Sequence, residues 1–144
     1  HGPGDNDEVS RVEAGRNHGW PAVRGFCDTS SEQQFCQENE VVEPVAAFTP
    51  TLGISGLDIY NSHVIPGWRG NLLATTLRGA TLLRIILTPD GRRSARVERL
   101  YEDQYGRLRD VLVGPAGEVY IATSNRDGRG SPASNDDRIL RLRP

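Results

Sequence analysis

A short stretch of this chain occurs twice. Asn71-Leu72-Leu73-Ala74-Thr75-Thr76 lines up with Glu118-Val119-Tyr120-Ile121-Ala122-Thr123 at an offset of 47 residues. In both copies a turn and a second apolar run follow, Leu82-Leu83-Arg84-Ile85 in the first and Arg138-Ile139-Leu140-Arg141 in the second. A period of about 40–50 residues made of short strands is the pattern of propeller blades. A blade buries its faces only against neighbouring blades, so a lone blade is not stable. The 144 residues make room for about three such units, whereas propellers close with about four to eight. The expectation is an all-β chain forming about three blades of a ring.

The text after Pro50 supports this reading. Ile54–Tyr60, Leu72–Leu77, Thr81–Leu87, Val97–Tyr101, Val111–Val113, Val119–Thr123 and Ile139–Leu142 each read as strands. Pro89-Asp90-Gly91 and Pro115-Ala116-Gly117 are turn signals between them. No long window keeps a helical period there. Residues 1–50 read as irregular loops, with a polar surface helix expected within Ser30–Glu43. The domain reading is one propeller domain over 1–144, with metal-site and cysteine loops in 1–50 and blade strands in 51–144.

Charge narrows the function classes. The formal net charge is −2, which disfavours nucleic acid or an anionic membrane as main partner. No apolar run approaches the roughly 20 residues that span a bilayer. All 17 basic residues are Arg, and there is no Met; the opening His1-Gly2-Pro3-Gly4 leads us to expect a piece of a longer chain. Cys27 and Cys36 enclose a short polar stretch. A local disulfide there would fit an oxidising compartment, and two free thiols are the alternative. A zinc pair is disfavoured because no second Cys/His pair sits nearby.

Two clusters carry possible chemistry. Asp5, Asp7 and Glu8 are oxygen donors of the kind Ca²⁺ takes, or a solvated acidic turn. They do not fit an EF-hand, and neither does Asn125-Arg126-Asp127-Gly128-Arg129-Gly130, whose default reading is a loop-tip salt bridge. Arg107 and Arg109 stand two apart in a strand, so both guanidinium groups face one way. Two such cations repel unless an anion lies between them, and a carboxylate or phosphate would satisfy them with forked hydrogen bonds. A solvated pair at a strand end is the alternative. Asp110 points to the other face. Arg78, before Gly79, has a similar strand-to-turn position in the preceding blade. The three histidines, His1, His18 and His63, match no nucleophile–base signature. No Gly-x-Gly-x-x-Gly follows a strand, so a nucleotide-binding fold is unsupported.

Five stretches in register resemble one family. They are His1-Gly2-Pro3 with Asp7-Glu8-Val9; Gly15-Arg16-Asn17-His18-Gly19-Trp20-Pro21; Thr49 to Tyr60; Leu72 to Gly79 with Arg107 to Val111; and Gly117 to Asn125. Together they resemble the C-terminal half of the soluble sugar dehydrogenases that depend on pyrroloquinoline quinone (PQQ), the glucose/sorbosone dehydrogenase type. The resemblance implies a six-bladed propeller with the quinone over its axis. It implies that Arg107 and Arg109 bind the acidic face of the quinone, whose three carboxylates would be the missing anion. Arg78 matches a basic cofactor-facing position that is Lys in some relatives, and Thr51 a hydroxyl position near the quinone.

The same resemblance implies two metal sites. The carbonyls of Gly2 and Pro3 match ligands of the Ca²⁺ that polarises the quinone, and Glu8 with Asp28 matches a second, structural Ca²⁺ site. His1 matches a position at the active-site mouth. His18 stands for the commoner Tyr, Thr49 for a frequent Trp, and Ser124 for Asp in some relatives. The implied reaction oxidises an aldose to a lactone by hydride transfer to the quinone, with an electron acceptor that the sequence does not identify. The implied location is periplasmic or extracellular. The catalytic base, a histidine of an N-terminal blade, matches nothing in this chain, so the missing N-terminal half of the propeller is an expected partner. The alternative is a non-enzymatic extracellular propeller that binds a ligand or protein; retention of Arg78, Arg107 and Arg109 argues for the enzyme.

Overall fold

A computed structural model describes residues 2–143. They form three antiparallel sheets. β1 (Asp7–Val9) pairs with β2 (Ala46–Phe48). β3 (Ile54–Ile59), β4 (Leu72–Thr76), β5 (Leu82–Leu87) and β6 (Ser94–Leu100) form a four-stranded sheet in chain order. β7 (Leu108–Val113), β8 (Val119–Thr123) and β9 (Ile139–Leu142) form a three-stranded one. β4 and β8, the two copies of the repeat, are thus the second strands of successive blades. The chain is all-β apart from α1 (Ser30–Glu38).

The sheets stack face to face, so β4 and β5 are covered on both sides. Leu73 and Leu82 join Tyr60, Leu108, Val111, Val119 and Ile121 in a core between the second and third sheets. Their neighbours Leu72, Ala74, Leu83 and Ile85 point the other way and pack with Val9 and Leu52. Double coverage explains why β4 reads as an unbroken apolar-plus-Thr run rather than an alternating one. β9 has no outer neighbour among the described residues, and Ile139 is 78% exposed there.

Polar ties fix one blade to the next. Ser55 Oγ donates to the Leu108 carbonyl at 2.9 Å. The Val113 N–H donates to Asp58 Oδ2 at 2.7 Å. Fully buried Tyr60 donates to the Gly117 carbonyl at 2.9 Å and accepts from the Ile65 N–H at 3.0 Å. Gly117 has φ +85°, and a Cβ there would collide with Ser62 Oγ.

Residues 2–50 are more ordered than expected. β1 and β2 lie in the stretch read as irregular, because three-residue strands carry too little pattern to register. α1 ends at Glu38 rather than running on toward Glu43. Thr29 and Glu32 close a capping box at its start, and the Asn39 N–H caps the Phe35 carbonyl at its end. Glu40 then takes φ +47°, which stops a helix. Cys27 and Cys36 are joined in a disulfide.

Candidate functional site: an arginine rim held by two aspartates

Asp7 organises the first half of the site. It is fully buried. Its Oδ1 accepts from the Gly2 N–H at 2.7 Å and from the Thr51 hydroxyl. Its Oδ2 accepts from the N–H groups of Leu52 (2.8 Å), Gly53 (2.6 Å) and Ile54 (3.3 Å). Burial pushes the Asp7 carboxyl up, but the bonds from Thr51, Gly2, Gly53 and Ile54 outweigh it and hold the group below the usual carboxylate range. Asp7 is therefore an anchor that pins the 2–5 turn to the entry of β3, not a free metal ligand.

Gly2, Pro3, Asp5, Asn6 and Glu8 line a cavity of about 260 Å³ together with Trp20 and Arg24. A Cβ at Gly2 would collide with the Asp5 carbonyl oxygen, so this turn requires glycine. Glu8 Oε1 accepts from the Gly25 N–H at 2.6 Å. Asp28 is not among the lining residues; it sits at the entrance to α1, its N–H on the Phe26 carbonyl. Among the described residues no three His, Cys, Asp or Glu side chains group as a metal cage. His1 lies outside the described residues.

The 51–53 segment passes the structure on to the arginines. The Leu52 carbonyl accepts from the N–H groups of Arg78 and Gly79, and the Gly53 carbonyl from that of Leu77. The Leu77 carbonyl in turn accepts from Arg107 Nη1 at 3.4 Å. Arg78 and Arg107 border one cavity of about 550 Å³. Arg109 is not among its lining residues.

An anion does stand between the arginine pair. Asp127 Oδ2 accepts from Arg107 Nε (3.2 Å) and Nη2 (2.9 Å), and from Arg109 Nη2 (3.0 Å). Arg109 Nη2 also reaches Ser124 Oγ at 3.1 Å. Asp127 Oδ1 accepts from the Arg129 N–H at 3.0 Å. Bonding from Arg107, then from the Arg129 backbone, and the charges of both arginines hold the Asp127 carboxyl below its ordinary value. The i, i+2 spacing leaves a bound anion or a solvated pair open; the chain supplies the anion itself, although Arg107 stands just before β7 and Arg109 at the register shift between Leu108 and Asp110, so regular strand alternation does not align the pair. Asp110, as expected, faces elsewhere; its Oδ1 accepts from the Val111 N–H.

Asp127 arrives on an insertion. In the β4–β5 turn, Thr76 and Thr81 exchange bonds through N–H, carbonyl and the Thr76 hydroxyl. Thr123 and Arg138 repeat the arrangement between β8 and β9. Five positions separate the first pair and fifteen the second. The added segment is rooted by Asn125, 3% exposed, whose Oδ1 accepts from the Arg107 N–H at 2.8 Å and whose Nδ2 donates to the Tyr105 carbonyl and Asp136.

The two described histidines have local partners. His18 Nε2 accepts from the Glu13 N–H at 3.4 Å, and His63 Nε2 lies 2.6 Å from Arg69 Nη1. Neither lines the arginine rim.

These features define a class: propeller blades, three in number among the described residues counting the two-stranded sheet, carrying an arginine cluster and an acid-rich turn. The family model for glucose/sorbosone dehydrogenases matches residues 1–141, and the chain belongs to that family. It is 29% identical over 132 residues to the aldose sugar dehydrogenase YliI of Escherichia coli K12, covering 89% of this chain and 35% of that protein. It is 31% identical over 134 residues to the uncharacterized protein slr1608 of Synechocystis, covering 90% of this chain and 31% of that one. The chain thus spans about a third of the length of the curated relatives it matches. Among solved structures, the PQQ-bound aldose sugar dehydrogenase from Streptomyces coelicolor superposes with a TM-score of 0.75 at 33% identity, over 97% of this chain and 37% of that one.

Proposed function

We propose that this chain is the cofactor-holding part of a PQQ-dependent sugar dehydrogenase that oxidises aldoses to lactones by hydride transfer to a Ca²⁺-bound quinone. The observation that carries the reading is the convergence of Arg107 and Arg109 on one anionic position, with Arg78 along the adjoining cavity. The donor set suits a polycarboxylate. Guanidinium groups make forked, charge-assisted bonds to carboxylates, and the seat between this pair already holds a carboxylate, that of Asp127.

The oxygen donors suit Ca²⁺ likewise. Ca²⁺ takes carboxylate and backbone carbonyl oxygens, and the carbonyls of Gly2 and Pro3 are the proposed ligands. Asp7 holds their turn in place through the Gly2 N–H. The fit is poorer for a second ion, because Glu8 is engaged by Gly25 and Asp28 stands apart from the cavity; no role is derived for one. When bound, the quinone supplies the two-electron oxidising chemistry and Ca²⁺ the Lewis acidity beside it. The chain's own part is orientation. Arg107 and Arg109 grip carboxylate, Arg78 adds a third cation, and Thr51 presents a hydroxyl fixed by Asp7. His1, at residue 1, is the proposed mouth residue.

Among the described residues no histidine lines the rim to serve as general base: His18 Nε2 takes the Glu13 N–H and His63 Nε2 lies against Arg69. Residues 1–144 alone are therefore proposed not to turn over, the base coming from a blade outside them and electrons leaving to an external acceptor. The disulfide supports a periplasmic or extracellular location. The test is a titration of PQQ with Ca²⁺ into the full-length gene product, followed by reduction of an artificial dye with glucose and other aldoses. Tight binding with dye reduction is expected. Absence of binding would overturn the proposal and favour a binding propeller.

A further inference from the structure

Asp127 sits where a ligand's carboxylate would sit. Both arginines spend donors on its single oxygen Oδ2, and its other oxygen is held by the Arg129 N–H. Its side chain is 22% exposed, that of Arg107 15% and that of Arg109 47%. The inserted segment that carries it is anchored at the root by buried Asn125. A group tethered this way competes at an effective concentration in the millimolar range or above. Arg78, by contrast, is exposed and makes no ion pair among the described residues.

We propose that Asp127 is a built-in competitor for the anion seat between Arg107 and Arg109, lowering the affinity of every carboxylate ligand for that seat so that only a ligand with contacts beyond it, a polycarboxylate, binds at low concentration. The inference rests on the reading above that the rim takes a polycarboxylate quinone. A single carboxylate offers the pair nothing that Asp127 does not already give, and it lacks the tether. A polycarboxylate displaces Asp127 from the seat and gains Arg78 and the remaining donors of Arg109 in addition. Charge-assisted bonds to those groups tip the exchange in its favour.

The test compares the full-length gene product with its Asp127→Asn, Asp127→Ala and Asp127→Glu variants. Acetate and citrate binding are followed through arginine side-chain NMR signals, and PQQ binding through its absorbance. Asp127→Asn and Asp127→Ala are expected to tighten citrate, acetate and PQQ by about tenfold each, because a tethered competitor weakens every ligand that must displace it by one common factor. The citrate-to-acetate ratio stays as in wild type, and Asp127→Glu restores the weaker binding of both. Weaker citrate binding in both neutral variants would overturn the proposal, since Asp127 would then be a clamp that positions the arginines. Unchanged affinities for citrate and acetate would overturn it too. If citrate and acetate respond as expected while PQQ binds neither wild type nor variant, the competitor role stands and the quinone reading falls.

Discussion

Removing the Asp7 carboxylate isolates the anchor of the whole rim. Asp7 is fully buried and accepts five hydrogen bonds, four from backbone N–H groups and one from Thr51. Asp7→Ala strands those donors. Each buried, unpaired polar group costs about 1–3 kcal/mol, and water entering the hole recovers part. Taking the low end for four N–H groups gives a loss of about 4 kcal/mol. Asp7→Asn keeps one acceptor oxygen but turns an NH₂ toward N–H donors, so about 2–3 kcal/mol is expected. The assay is urea unfolding of the full-length gene product, read by tryptophan fluorescence; Trp68, edge-on to Tyr60, reports on the core beside β3. A loss below about 1 kcal/mol for Asp7→Ala would refute the reasoning, because it would mean that the five bonds are replaced by water at little cost. The same variants are expected to weaken Ca²⁺-dependent PQQ binding, since the Gly2–Pro3 turn loses its tie.

Other expectations concern single contacts. Tyr60→Phe removes one bond to Gly117 and one from Ile65 and is expected to cost about 1–3 kcal/mol in the same unfolding assay. Reduction of the Cys27–Cys36 disulfide, which closes a loop of sequence separation 9, is expected to cost about 2–3 kcal/mol on the chain-entropy account; mass analysis with and without reductant checks that the bridge is present. Asp7, Asp127 and Asp136 all have carboxyls held below the ordinary value, Asp136 chiefly by the Ala133 N–H. Their folded-state pKa values lie below the unfolded ones, so their stabilisation is present above about pH 4 and is lost as pH falls through the folded values. An unfolding series from pH 7 to pH 3 should show stability declining at the acid end.

The blades were legible because their strands are long enough to show a pattern and their turns carry Pro, Gly and Asp. β4 and β8 repeat almost in phase, and that alone gave the architecture. β6 was seen only from Val97, since its first residues are polar and lie at the outer edge of its sheet. β1 and β2 escaped notice because each has three residues and β1 contains two acids. Asp7 looked like one acid among three; only burial separates it from Asp5. The sequence reads the Asp127 loop as a loop-tip salt bridge, and it is one; what the spacing does not show is that its partners are Arg109 and Arg107, 18 and 20 positions back. A clue to it was available: the second strand pair is separated by ten more residues than the first, and an insertion of that size beside two unneutralised arginines is where a counter-anion could be carried.

The most direct test of the account is the PQQ affinity of Arg107→Ala in the full-length gene product, measured with Ca²⁺ present and with the unfolding midpoint as control. Loss of charge-assisted bonds worth about 1.5–3 kcal/mol corresponds to about 10- to 150-fold weaker binding. That loss is expected with a much smaller change in folding. An affinity equal to wild type would contradict it, and Arg107 would then serve only to hold Asp127 and Leu77.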